Sequence, residues 1–166
     1  MKRPMTPRGN RAVKDELQRL KSLRPELAEA IEVARAHGDL SENADYDAAK
    51  EKSGMVEAKI RDLEGRLSHC EIIDPLKIAK TDRVVFGVTV TIEEVESGDT
   101  KVWGIYGIEE SDVSRGWISF ETPLAKALLG KELGACVTVK LPGGTKEYEI
   151  MDITIDYDDS IVLDLS

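Results

Sequence analysis

Between His37 and Tyr46 the chain reads His-Gly-Asp-Leu-Ser-Glu-Asn-Ala-Asp-Tyr. Asp39, Ser41, Glu42, Asn43 and Asp45 crowd side-chain oxygens into this one bend, and Asp47 adds a fourth carboxylate. Two kinds of chemistry suit such a set. Carboxylates accept hydrogen bonds from the free amides of a helix start, where the helix dipole also favours negative charge. Asp39 followed three residues later by Glu42 has the spacing of a capping box, with Asp39 as the cap. A cap uses one or two oxygens, so the surplus carboxylates are available for presentation to something outside the fold. Gly38, just before them, suits the positive φ that ends a helix cheaply.

The bend lies between two long amphipathic patterns that must position it. Val13, Leu17, Leu20, Leu27, Ile31 and Ala34 keep spacings of three, four and seven, with charged residues such as Lys14, Asp15, Glu16, Arg19 and Lys21 between them. This predicts a helix from Pro7, a residue tolerated in a first turn. Pro25 predicts a kink or local break, because a proline inside a helix costs about 3 kcal/mol. From about Glu42 to Cys70, the residues Ala49, Ser53, Val56, Ile60, Leu63, Leu67 and Cys70 alternate steps of four and three, an a/d seam. Two such helices joined by a short bend pack antiparallel, seam to seam. At roughly 28 residues per arm and about 1.5 Å per residue, the hairpin is on the order of 40 Å long and must project. Residues 1–6 read as a short extended or disordered lead, and Ile72–Leu76 as the exit from the second helix.

Past Pro75 the period changes to that of strands. Arg83–Glu94, Lys101–Ile108 and Gly116–Phe120 are expected strands, and Pro123–Leu129 is a short helix with Thr122 as cap and Gly130 as stop. Ala135–Leu141 and Lys146–Ile155 follow, joined through Pro142-Gly143-Gly144, a tight-turn signal. The expected fold class is α+β: an N-terminal antiparallel two-helix coiled-coil hairpin over residues 1–74, then a small antiparallel sheet domain with one helix over 75–166. Asp156–Ser166 reads as either a frayed tail or a short added strand.

The formal net charge of −9 is unevenly spread. Residues 1–74 carry 14 Lys/Arg against 15 Asp/Glu, and residues 75–166 carry 9 against 17. An acidic second half repels phosphate and argues against non-specific nucleic-acid binding through that half; a protein partner with a basic or apolar surface suits it better. No apolar run approaches the roughly 18 residues of a membrane span, and the first residues lack an apolar signal core, so the expectation is a soluble, cytoplasmic chain with no membrane partner. Cys70 and Cys136 stand far apart without CxxC spacing and are expected as free buried thiols. His37 and His69 have no second ligand at metal spacing.

Gly38-Asp39-Leu40-Ser41-Glu42-Asn43-Ala44-Asp45-Tyr46, followed by Ala48-Ala49-Lys50, resembles the tip signature of the bacterial Gre transcript cleavage factors. Val85-Phe86-Gly87, Thr122-Pro123-Leu124-Ala125-Lys126-Ala127-Leu128-Leu129-Gly130-Lys131 and Leu141-Pro142-Gly143-Gly144 stand in that family's order and spacing. The resemblance covers about residues 5–156 and is nearer to the GreA branch than to GreB, although the Ser41–Tyr46 run is also similar to GreB. The extension after Asp156 departs from the family's usual ending.

The resemblance implies that the hairpin enters the secondary channel of a backtracked bacterial RNA polymerase, while the second domain, FKBP-like in that family, docks at the channel mouth. The tip would then stimulate the polymerase's own Mg²⁺-dependent cleavage of its transcript, and the chain would be an accessory factor rather than an enzyme. Under this implication Asp39 and Glu42 ligate a Mg²⁺ ion shared with the polymerase, with no cofactor bound by the chain alone. Mg²⁺ prefers hard oxygen ligands and often takes only one or two carboxylates. Asn43, Asp45 and Tyr46 would position water or the RNA 3′ end. Arg35, Ser41 and Lys50 would contact RNA or polymerase, although ordinary solvated or i,i+4 roles suit Arg35 and Lys50 equally well. The alternative in the same fold is a channel-binding regulator that does not stimulate cleavage. A prolyl isomerase would need an apolar, aromatic-lined pocket, and a small core consumes most of the aromatics of the second half. Self-association through the seam is disfavoured because the hairpin satisfies its own seam, so the expected state is a monomer.

Overall fold

The computed structural model describes residues 2–38 and 43–166. A short strand β1 (Arg3–Met5) leads into α1 (Pro7–Ser22) and α2 (Arg24–Arg35); α3 (Ala44–Ser68) returns and ends at β2 (Cys70–Ile72). Thr6 caps α1 by accepting from the Gly9 amide, with Pro7 in the first turn where its missing N–H costs nothing. Pro25 falls in the first turn of α2, and the expected break is a single residue: Leu23 keeps helical angles and closes α1 while opening α2. The apolar phase therefore resumes at Leu27.

Val13, Leu20 and Leu27 pack on Val56, Ile60 and Leu63 in one buried cluster, with Leu17 and Leu67 at its margin. Every predicted seam position of α3 is buried or half-buried, and its neighbours are largely solvated. Burial of a Leu or Ile side chain contributes roughly 1.5–3 kcal/mol, so this seam and not local propensity holds the arms together. At the base, β1 and β2 pair in parallel, Arg3 opposite Cys70 and Met5 opposite Ile72. Neither strand is expected from the sequence, since each is only three residues long. The pair joins the first residues of the hairpin to its last.

The rest of the chain forms a curled sheet. Among the described residues it has five strands in the order β5-β4-β3-β7-β6: β3 is Thr89–Glu94, β4 Thr100–Tyr106, β5 Trp117–Ser119, β6 Cys136–Leu141 and β7 Gly144–Thr154. One short helix, α4 (Pro123–Leu128), lies against it, capped by Thr122 as expected. Val90, Ile92, Ile105, Val139 and Ile150 form the core with Ala125 and Leu128 of α4. β3 pairs antiparallel with β4 and β7, and β7 with β6.

The edge pair differs: β5 runs parallel to β4, Gly104 opposite Trp117. Two 3-10 turns, Ile108–Glu110 and Val113–Arg115, reverse the chain between these strands, so β5 enters from the same end as β4. The strand expected from Arg83 starts only at Thr89. Before it, Arg83 makes an isolated bridge to Glu132, and Gly87 turns the chain at φ 97°. A Cβ on Gly87 would lie 3.0 Å from Pro75, so the turn is tied to the exit from the hairpin. Both thiols are free, but neither is fully buried as expected: Cys70 is half-buried, and Cys136 is exposed because it lies on the solvent face of β6, alternating with buried Val137 and Val139. Among the described residues no helix is long and apolar enough to cross a membrane.

The two halves meet around Arg8. Its guanidinium is 1% exposed and pairs with Glu110, Nε to Oε2 at 2.5 Å, while three rings surround it: Trp117 at 4.1 Å, Tyr157 at 4.5 Å and Tyr106 at 5.0 Å. The Thr6 hydroxyl that caps α1 also donates to the other oxygen of Glu110. Burial raises the Tyr157 phenol to about 12, and its hydrogen bond to the Asp159 carboxylate adds to the effect. The sheet thus grips the first turn of α1 by a buried charge and an aromatic cage.

Candidate functional site

At its far end the hairpin turns through Ala36, His37 and Gly38, the last at φ 113°, the conformation the sequence predicts for it. Asp39, Leu40, Ser41 and Glu42 lie outside the described residues, so the two carboxylates assigned to the metal, and Ser41, have no described geometry. The flanks of the bend are described in full.

α3 begins at Ala44, and its cap is Asn43. The cap of this helix is therefore not Asp39, as the capping-box spacing suggested: that box needs a helix already begun at Glu42. Asn43 Oδ1 accepts from the Tyr46 amide at 3.0 Å, and Asn43 Nδ2 donates to the carbonyl of Ala34, in the last turn of α2. One amide thus satisfies an orphan donor of α3 and a carbonyl of α2, latching the arms together beside the bend. The signal for this latch is a residue with both an acceptor and a donor at the helix start, a role that Asp or Ser does not fill in the same way.

Tyr46, on the first turn of α3, stands between two cations. The Lys50 ammonium lies 5.4 Å from its ring centre, and Arg35 reaches it from α2. The Arg35 guanidinium first, and the Lys50 charge after it, hold the Tyr46 phenol below the ordinary tyrosine range. Arg35 also lies 3.6 Å from Glu32 in an exposed i,i+3 pair, which is worth little in water. The structure therefore brings Arg35, Tyr46 and Lys50 together. Asp45 instead lines the groove between the arms, with Glu26, Glu29, Val33 and His37. Asp45 and Asp47 also complement the positive end of α3.

The donor chemistry sets what the tip could hold. Among the described residues no group of three or more His, Cys, Asp or Glu side chains is placed to hold a metal ion. As a donor set, the carboxylates of Asp39 and Glu42 suit a hard cation that draws its other ligands from elsewhere.

The latch separates cap from bridge experimentally. Asn43→Ala is expected to cost about 1 kcal/mol for the lost cap and to speed amide exchange at Tyr46. Asn43→Asp keeps an equally good cap but sets a carboxylate against the Ala34 carbonyl, so it too should loosen the tip. If the Asp variant melts and exchanges like the parent, the bond to Ala34 contributes nothing.

Sequence reading missed the Arg8 clamp, whose partner Glu110 is 102 residues away, and the latching role of Asn43.

Comparison with known proteins extends the picture. Residues 3–72 match the family model described as transcription elongation factor, N-terminal, and residues 79–155 match transcription elongation factor, GreA/GreB, C-terminal. Residues 156–166 fall outside both. The chain is 48% identical over 151 residues to transcription elongation factor GreA of Neisseria meningitidis serogroup B, covering 90% of this chain and 96% of the relative. To GreA of Legionella pneumophila (strain Corby) it is 49% identical over 153 residues, covering 92% and 96%. Among solved structures, GreA factor homolog 1 of Thermus thermophilus aligns over 92% of this chain and 99% of its own at 24% identity, with a TM-score of 0.43.

Proposed function

The chain belongs to the GreA/GreB family of transcription elongation factors, and from that premise we propose that it inserts its hairpin tip into the secondary channel of bacterial RNA polymerase and stimulates cleavage of the nascent RNA. Residues 1–74 are the inserting hairpin, and residues 75–166 the domain that docks on the polymerase. The observation that carries this reading is the composition of the tip's flanks. Asn43 latches the arms where an acidic bend joins them, and Arg35, Tyr46 and Lys50 form a cationic phenol cluster alongside.

Each residue has a distinct task in this reading. Asp39 and Glu42 offer carboxylates to a Mg²⁺ ion whose other ligands belong to the polymerase. Such an ion, when bound, supplies an activated water and charge neutralisation for phosphodiester hydrolysis. Arg35 and Lys50 draw an RNA phosphate toward the tip by charge. Tyr46, its phenol polarised by those cations, donates a hydrogen bond at the RNA end. Asn43 fixes the angle of the bend, with both ends of its amide already engaged. Asp45 keeps the groove acidic and so discourages phosphate from settling there, and Ser41 contacts polymerase or RNA beside the carboxylates.

Incubation with a stalled polymerase carrying end-labelled RNA tests the reading. Shortened RNA with a new extendable 3′ end should form only when protein, polymerase and Mg²⁺ are all present. The protein alone should leave RNA intact, and RNase activity in polymerase-free preparations would sink the accessory role. Slowed elongation without shortened RNA would instead support the channel-blocking regulator.

A further inference from the structure

The last twelve residues leave β7 and cross back over the first helix. Ile161, Leu163 and Leu165 are half-buried, while Val162, Asp164 and Ser166 point to solvent, with Val162 79% exposed. This alternation is that of an extended strand, yet the segment belongs to no sheet. It is therefore neither of the two forms the sequence suggested.

Its inward residues divide between the two halves of the protein. Ile161 and Leu163 pack on the sheet-side cluster of Tyr106, Trp117 and Tyr157. Leu165 packs instead on the hairpin cluster. Polar contacts follow the same course along α1. The carbonyl of Asp158 accepts from Arg8 Nη1 at 3.1 Å, and that of Asp159 accepts from Arg11 Nη2 at 2.5 Å. The Asp159 carboxylate lies 3.5 Å from Arg11 Nη1, and Asp164 lies near enough to Arg19 for their charges to attract. Asp158 and Asp164 each accept from the amide and hydroxyl of the serine two residues on, so a closed turn holds each end.

We propose that residues 158–166 are a clasp that fixes the angle between the hairpin and the sheet. Units joined by one linker and a modest interface move relative to each other by default. Here the linker is residues 73–82, and the Arg8 cage and the exposed Arg3–Glu121 ion pair, 3.1 Å apart, both lie at the root of the hairpin. Contacts confined to the root resist separation better than they resist rocking. The clasp adds a second, distributed attachment, from Arg8 past Arg11 to the level of Arg19, and that geometry opposes rocking. A fixed angle delivers the tip to one place relative to the docked sheet.

The test needs no polymerase, so its result stands apart from the cleavage reading. Spin labels go on Cys136, which is exposed on β6, and on an exposed site in α3 by Glu51→Cys, in a Cys70→Ser background. Electron–electron distances in the whole chain should form one narrow distribution. In a chain ending at Tyr157, which keeps the Arg8 cage, the distribution should broaden about twofold or more. The full-length double variant Arg11→Ala, Leu165→Ser should broaden it in the same direction, and decides the matter if the shortened chain does not fold. An unchanged width in a folded variant overturns the proposal, even if its melting temperature has dropped.

Discussion

Replacing Asp39 with Asn and Glu42 with Gln should abolish stimulated transcript cleavage while leaving the protein folded and able to bind polymerase. The amides keep the size and most of the hydrogen-bonding capacity of the carboxylates but are much weaker ligands for a hard cation. Losing about 4 kcal/mol of transition-state stabilisation slows a reaction roughly a thousandfold. The structure sharpens this test. Asn caps a helix as well as Asp, so even a capping Asp39 would lose little on this replacement, and the cap of α3 is Asn43 in any case. Melting temperature should therefore change little, and part of the cleavage should return at high Mg²⁺ by mass action. Parent-like cleavage rates in the double variant would refute the metal assignment.

The second large effect lies at the other end of the hairpin. Glu110→Ala leaves the Arg8 guanidinium buried without its carboxylate, and breaking a buried pair in this way costs about 3–5 kcal/mol. Removing both partners, by Arg8→Met with Glu110→Ala, should cost less than the single Glu110 change, because no charge is then stranded. Arg8→Lys should cost nearly as much as the Glu110 change: an ammonium lacks the planar fork and stacks poorly among three rings. Denaturant unfolding of these proteins gives the values, and Arg8→Met alone closes the cycle that gives the coupling of Arg8 with Glu110. A loss under about 1 kcal/mol for Glu110→Ala would mean that water reaches the cage and screens the charge.

The helices were legible because a seam repeats: one misplaced residue hardly disturbs a pattern carried by Val56, Ile60, Leu63 and their neighbours. The local stops and starts were legible too, since Pro7, Thr122 and Gly38 act on amides and angles within four residues of themselves, although the Thr6 cap was not. What escaped was set by distance along the chain. Val84, Val85 and Val88 have strand-forming side chains, yet the chain turns at Gly87 with a positive φ, in a place where Pro75 leaves no room for a Cβ. β5 is parallel because of two 3-10 turns that no periodicity announces. Arg8 reads as one more solvated charge until Glu110 and Tyr157 are brought to it. At the tip, sequence picked out Arg35, Tyr46 and Lys50 individually, and only the pairing of α2 with α3 makes them one cluster. Asn43, expected to position water or the RNA end, also has its amide oxygen and nitrogen engaged within the fold.

The parallel pair at the base of the hairpin makes the hairpin a ruler. Arg3 and Cys70 are direct neighbours across β1 and β2, so the chain enters and leaves the hairpin at almost one point. Lengthening both arms by one heptad would leave that point, the Arg8 cage and the clasp unchanged, and would carry the tip outward by about 10 Å. Reach is thus adjustable in discrete steps without touching the sheet. An insertion in one arm alone would slide the seam out of phase and pull against the Asn43 latch. The reach of the tip is written in the number of paired turns, and the fold keeps count of it at both ends.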